Sequence, residues 1–293
     1  MKLRQIFIIA GLFVYTTSYS QVYEFIVCGT RGVNSVKANG EWKLLKTRET
    51  LDHFDEIRTV GPDCYLGLLH SSGRSVVIRK PGTYAAADLL KEVNSGKTAV
   101  ASKYADFVFS KMTAITGVPQ ETGKRGIGEP SITVYLPPSG NFFSNTEVLR
   151  WSALPGKPTY KVSVRSIFDD IVAEYSTDTT LVTINFDDPK FKDQKAWFLT
   201  VEVPDLANSK SATYGLTRLT GEDYSAIEIK YNQLISELTV ESPINNLIIS
   251  SFFEDNKLLV DAGTYYYKFL SSSPDLKDFE TMYTKFLARN GLK

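Results

Sequence analysis

The chain holds few of the side chains that do nucleophilic or metal chemistry: two cysteines, Cys28 and Cys64, and two histidines, His53 and His70, in 293 residues. A thiol catalyst needs a base at hand or a C-x-x-C spacing, and neither arrangement is present. The cysteines admit two readings. They form one disulfide in an oxidising compartment, which in the chain-entropy view stabilises by roughly 3 to 4 kcal/mol for a loop of this length, or they are two separately buried thiols. His53 and His70 are too few and too far apart for a zinc site of ordinary spacing. Gly96-Lys97-Thr98 looks like the end of a phosphate-binding loop, but that mechanism needs a glycine five residues before Gly96, where Lys91 stands. Gly123, Gly126 and Gly128 beside Lys124 and Arg125 lack the strand-to-helix setting of a dinucleotide site. Asp187, Asp188 and Asp193 near Asn185 offer oxygen ligands to calcium, yet Lys190, Lys192 and Lys195 interleave with them, which favours a solvated turn. No pair of carboxylates stands out as a glycosidase acid and base. The expectation is a protein without catalytic, metal or cofactor residues, and not an enzyme.

Aromatic residues are the other source of specific contact. Trp42, Trp151 and Trp197 each lie in a strand-like run, where packing in a core is the ordinary role; an exposed indole in a sandwich loop would instead stack on a sugar ring. Tyr265, Tyr266 and Tyr267 in succession cover more than one face of a helix, so at least one ring is expected to meet solvent or another surface. These three are the candidate partner contact.

The elements that hold these residues begin with an export signal. Lys2 and Arg4 precede an apolar run from Ile6 to Tyr15, and Ser18 and Ser20 place small residues before a cut at Gln21. An apolar helix of this length rises only about 15 Å against a hydrocarbon core of about 30 Å, which argues against an anchor. No later segment is long and apolar enough to span, so the processed chain is expected to be periplasmic or secreted and not membrane-spanning. With 33 basic and 33 acidic residues, there is no global field to recruit nucleic acid, and none is expected as a partner.

From Val22 to about Tyr84 short strands alternate with turns: Tyr23 to Val27, an Asn39-Gly40 hairpin signal, Asp55 to Val60, Cys64 to Leu69, then Ser75 to Arg79 after Ser72-Gly73. Ala85 to Val93 reads as a short helix. Ala99 to Thr113 forms a second, with Tyr104, Phe107, Val108 and Met112 on one face, and Thr116 to Pro130 reads as an exposed linker rich in glycine and charge. Strand patterns return at Ile132 to Leu136, Val148 to Trp151, Tyr160 to Ser166, Ile171 to Tyr175, Leu181 to Phe186 and Ala196 to Val203. After about residue 220 the period changes to 3.6, predicting four helices. Ile227, Tyr231, Leu234 and Leu238 mark the first, Ser242-Pro243 starts the second, Leu259 to Phe269 stripes the third, and Ser273-Pro274 opens the fourth. The fold class is therefore mainly β with a helical C-terminal part: a small β module, a linker helix, a β-sandwich and short α-helical hairpins.

The first module resembles the periplasmic FecR domain. The likeness rests on Gly29, on Trp42 and Leu44 in "EWKLL", on "TLDHFDEIRT" from Thr50 to Thr59 with its D-x-I-R-T core, on "CYLGLL" from Cys64, and on "GRSVVIRKPGTY" from Gly73 to Tyr84. Arg48 and Glu49 depart from it, standing where the family has a glycine. Regulatory members carry a cytoplasmic arm and a membrane helix that this chain lacks, so the resemblance implies a module exported alone. The sandwich is similar to fibronectin type III or other immunoglobulin-like domains through "VLRWSALP" and "YKVSVRS". The tail resembles helical hairpins of the tetratricopeptide type through "DAGTYYYKFLSSSPD". The expected organisation is a signal peptide (1–20), a FecR-like β domain (21–94), a helix and linker (95–130), a sandwich (131–219) and a helical tail (220–293). The tail's aromatic stripe is expected to dock mostly on the sandwich, leaving one face for a partner. Together these features imply a non-catalytic binding or scaffold protein of the bacterial envelope that contacts a protein partner through the FecR-like module and the tail. A polysaccharide-binding or polysaccharide-degrading envelope protein is the alternative.

Overall fold

The computed structural model describes residues 23–93, 99–113, 132–272 except 157, 205 and 239–241, and 277–293. The expected signal peptide, the Gly96-Lys97-Thr98 string and the expected linker at 116–130 lie outside the described residues. The chain is mainly β with a helical C-terminal part.

The first module is built on two long antiparallel strands, β1 (Phe25–Ala38) and β4 (Glu56–His70), joined by their full length. Each serves two neighbours, because the ladder is bent by register shifts between Val27 and Gly29 and between Arg31 and Val33. β2 (Glu41–Leu44) and β3 (Thr50–Leu51) pair with β1, while β5 (Ser75–Ile78) and β6 (Gly82–Ala85) pair with β4. The Asn39-Gly40 turn forms as its sequence predicts, with φ of 53° and 85°, the pair of left-handed residues that a two-residue hairpin requires. The two strands expected at Asp55–Val60 and Cys64–Leu69 are instead one, and the Gly61-Pro62 break is a kink within it, Gly61 having φ 94°. The helix α1 (Ala86–Val93) places Leu89, Leu90 and Val93 on a core with Phe25, Val27, Leu51, Ile57, Leu66 and Leu68.

The sandwich contains a five-stranded sheet ordered β10 (Ile171–Thr177), β9 (Tyr160–Ser166), β12 (Ala196–Glu202), β13 (Tyr214–Arg218) and β7 (Ser139–Phe142). A two-stranded sheet, β8 (Thr146–Arg150) with β11 (Leu181–Asn185), completes it. Ile132 to Leu136 is not a strand but makes one bridge, Val134 to Trp151; its apolar side chains are nevertheless buried. The prolines Pro137 and Pro138 end it, and β7 starts directly after them. The core gathers Phe142, Phe186, Phe191 and Trp197, with ring centroids 4.5 to 6.1 Å apart.

All four tail helices form: α3 (Gly221–Glu237), α4 (Asn245–Asp255), α5 (Leu259–Ser271) and α6 (Lys277–Arg289). With α2 (Ala99–Thr113) they enclose a third core, which takes Ile26, Cys28 and Leu69 from the first module and Phe143 from the sandwich. The tail thus packs on both sides: α3 and α4 lie against α2, while α5 lies against β7 and β8 of the sandwich, where Arg150 meets Tyr267 and Tyr283. In α4, Leu247 through Glu254 are buried in sequence, so this helix needs neighbours on all sides. Gly73, with φ 86°, lets α2 seat on the β4–β5 turn, where a Cβ would collide with the Ala101 backbone. Glu237 at the end of α3 accepts from the Val100 and Ala101 amides at 2.9 and 2.7 Å, capping α2.

Candidate functional site

The histidine expected to be inert has polar company. His70 Nδ1 lies 2.8 Å from Ser72 Oγ, and Nε2 lies 3.2 Å from Glu24 Oε2. Serine, histidine and glutamate in that order are the parts of an acyl-transfer relay. The local geometry gives them another task. The Ser72 amide donates to Nδ1 at 3.1 Å, so that nitrogen is already an acceptor and Nε2 carries the proton towards Glu24. Burial lowers the His70 pKa, opposed by the hydrogen bond and charge of Glu24. The cluster closes the β4–β5 turn on the first residues of β1. Its only sequence signal is the i, i+2 spacing of His70 and Ser72; Glu24 arrives as the residue before β1, whose Phe25 pairs with His70 across the ladder.

The two cysteines do not meet. Both are free, buried thiols. Cys28 sits at the first bulge of β1, while Cys64 lies beside Gly32, four residues further along that strand. At about 3.3 Å per residue the separation is about 13 Å, beyond the roughly 7 Å that a disulfide spans. Cys28 Sγ instead contacts Met112 Sδ at 3.9 Å, and burial pushes its pKa far up, away from thiolate chemistry.

Each of the three tyrosines has an internal contact. Tyr266 is buried on Phe286 and receives Arg289 at 2.9 Å. Tyr265 and Tyr231 hydroxyls are 3.0 Å apart, with Lys268 over the Tyr265 ring. Tyr267 lies under the Arg150 guanidinium, which also covers Tyr283. The stripe works as a fastening between α5, α6 and β8. The acids at 187 and 188 are engaged as well: Asp187 pairs with Arg218 at 2.8 Å and Asp188 with Lys190 at 3.3 Å. Among the described residues no cluster of three or more His, Cys, Asp or Glu side chains could hold a metal ion, and no helix is long and apolar enough to cross a membrane.

Two features escaped sequence reasoning. Glu147 on β8 and Asp261 on α5 form a fully buried carboxyl pair where the tail meets the sandwich. Asp261 accepts from the Phe143 and Ser144 amides at 2.9 and 2.7 Å. Glu147 Oε2 accepts from Thr264 at 2.5 Å, and Thr264 in turn accepts from the Val148 amide at 2.8 Å. Burial, then the Asp261 charge, raises the Glu147 pKa well above the ordinary carboxyl range.

The second feature is an apolar face without a cover among the described residues. On the distal half of the first module, Val33 faces Val60, Ser35 lies between Arg58 and Leu44, and Lys37 faces Trp42. These rows share one side of the sheet. Leu44 is 63% exposed and Trp42 37%. Lys37 and Arg58 flank the Trp42 ring at 5.7 and 5.6 Å, and Lys37 also pairs with Glu56 at 2.8 Å. Arg58 makes no ion pair among the described residues. Trp151 and Trp197, by contrast, are 2% and 1% exposed and offer no face to a sugar. The hint to this face lay in "EWKLL", where Trp42 and Leu44 alternate with charge. No protein-family model matches the chain, and comparison with curated proteins finds none detectably similar to it.

Proposed function

We propose that this chain is an exported, non-catalytic binding or scaffold protein of the bacterial cell envelope, which grips a protein partner with its FecR-like first module while the tail holds the modules together. The observation that carries the reading is the outer face of the β2–β1–β4 ladder, with Trp42, Leu44, Val33 and Val60 exposed beside Arg58, which makes no ion pair among the described residues. An aromatic anchor ringed by cations is the composition of a binding hot spot, and it fits an acidic partner surface with apolar side chains at its centre. Export and the FecR likeness put that partner in the envelope. The tail's three tyrosines, engaged within the chain, support the role of frame rather than contact.

The test is chemical crosslinking in native envelope extracts with quantitative mass spectrometry, comparing the wild type with W42S/L44S and with the equally exposed but remote F168S. Loss of the same crosslinked protein in W42S/L44S alone is expected. Equal recovery from all three would sink the reading.

A further inference from the structure

A carboxyl pair with no access to water at the seam between two units is costly unless it holds a proton. The bonding around Glu147 and Asp261 says where that proton is. Asp261 on α5 accepts one amide on each oxygen, from Phe143 and Ser144 of the β7–β8 turn, which favours its charged form and leaves lone pairs for a further donor. Glu147 has one oxygen on the Thr264 hydroxyl, while Oε1 is buried with no donor among the described residues. A carboxyl oxygen in that position, within reach of a second carboxylate, is satisfied only if Glu147 is the acid and donates to Asp261. We propose that the helical tail is latched to the sandwich by a single proton held between Glu147 and Asp261, so that the seat of α5 on β8 is firm in mildly acid surroundings and loosens as they become alkaline.

The groups facing the pair do not replace that proton. Lys268 on α5 favours the charged form of Glu147 but is the least of the influences on it. Tyr265 on α5 is neutral, raised by burial and by its contact with Tyr231 of α3. On β8 itself Arg150 is committed to the Tyr267 and Tyr283 rings. Burial raises both carboxyls of the pair, and the donors on Asp261 keep it the ionised member. Because the folded pKa of Glu147 stands above its unfolded value, the folded chain keeps a proton that the unfolded chain has released above about pH 4.3. The latch is therefore fully present below that pH and is lost as pH rises through the folded titration of Glu147.

The experiment is urea unfolding of the full chain from pH 5 to 9, for the wild type and for Glu147→Gln, whose amide can donate to Asp261 at every pH. Relative to the variant, the wild type's folded-to-unfolded ratio is expected to fall about tenfold per pH unit until Glu147 ionises in the folded state. Backbone amides of Phe143, Ser144 and Val148 are expected to lose exchange protection over the same range. The subtraction removes His70, whose lowered pKa acts with the opposite sign. Should Glu147→Gln fail to fold, side-chain carbon NMR of the wild type reads the protonation of Glu147 directly. Parallel stability profiles, or a Glu147 carboxyl already ionised at pH 6, would overturn the latch.

Discussion

The sandwich and the first module are both β structures of similar size, yet they close their cores in opposite ways. In the sandwich, Trp151, Trp197, Leu199 and their neighbours face inward from both sheets, and the tail contributes Val260 alone. The first module divides its apolar residues. Phe25 and Val27 go to the core beneath α1, Ile26, Cys28 and Leu69 go to the core shared with α2 and the tail, and the distal half turns Leu44, Val33 and Val60 to solvent. The difference follows from strand length. Strands of 14 and 15 residues are longer than one helix can cover, so each third of the ladder meets a different neighbour. The sandwich closes its core almost within itself, whereas the module shares one face with the tail and leaves another uncovered among the described residues.

That contrast is open to attack at the shared core first. Phe252→Ala on α4, buried between Tyr104 and Tyr231, is expected to cost about 3 to 5 kcal/mol. Hydrogen exchange should show the loss in β1 and β4 of the first module as well as in α2 and the tail. Leu199→Ala in the sandwich is expected to cost about 2 to 5 kcal/mol while leaving exchange in the first module unchanged. If the two substitutions spread alike, the cores are one cooperative unit and the comparison fails.

A smaller effect is expected at the α2 cap. Glu237→Ala frees the Val100 and Ala101 amides and should cost about 1 kcal/mol, read as fraying of the first turn of α2 by exchange or by NMR. No change there would mean that packing alone holds α2 to the tail. The smallest effect belongs to the open side of the module. Phe54 is 90% exposed beside His53, and Phe54→Ser should alter stability by no more than about 0.5 kcal/mol. A large loss of melting temperature would show that the ring is covered in solution.

Much of the architecture was legible in the order of residues. Period-two alternation marked Tyr160 to Ser166, the 3.6 period marked all four tail helices, and Asn39-Gly40 marked its hairpin, because each of these signals is local. The candidate sites were less so. Cys28 and Cys64 are compatible with a disulfide by spacing, and only the register of β1 on β4 separates them. Tyr265 to Tyr267 cover several faces of α5 as their run predicts, but the sequence could not say that Tyr231, Arg150 and Arg289 would meet them. Glu147 and Asp261 are unremarkable acids in sequence, more than a hundred residues apart. What the chain determined by itself was period, turn chemistry and the count of elements, which depend on neighbours a few residues away. What tertiary structure alone decided was which faces are shared and which stay open, since burial, register and the protonation of a carboxyl pair arise from residues that only folding brings together.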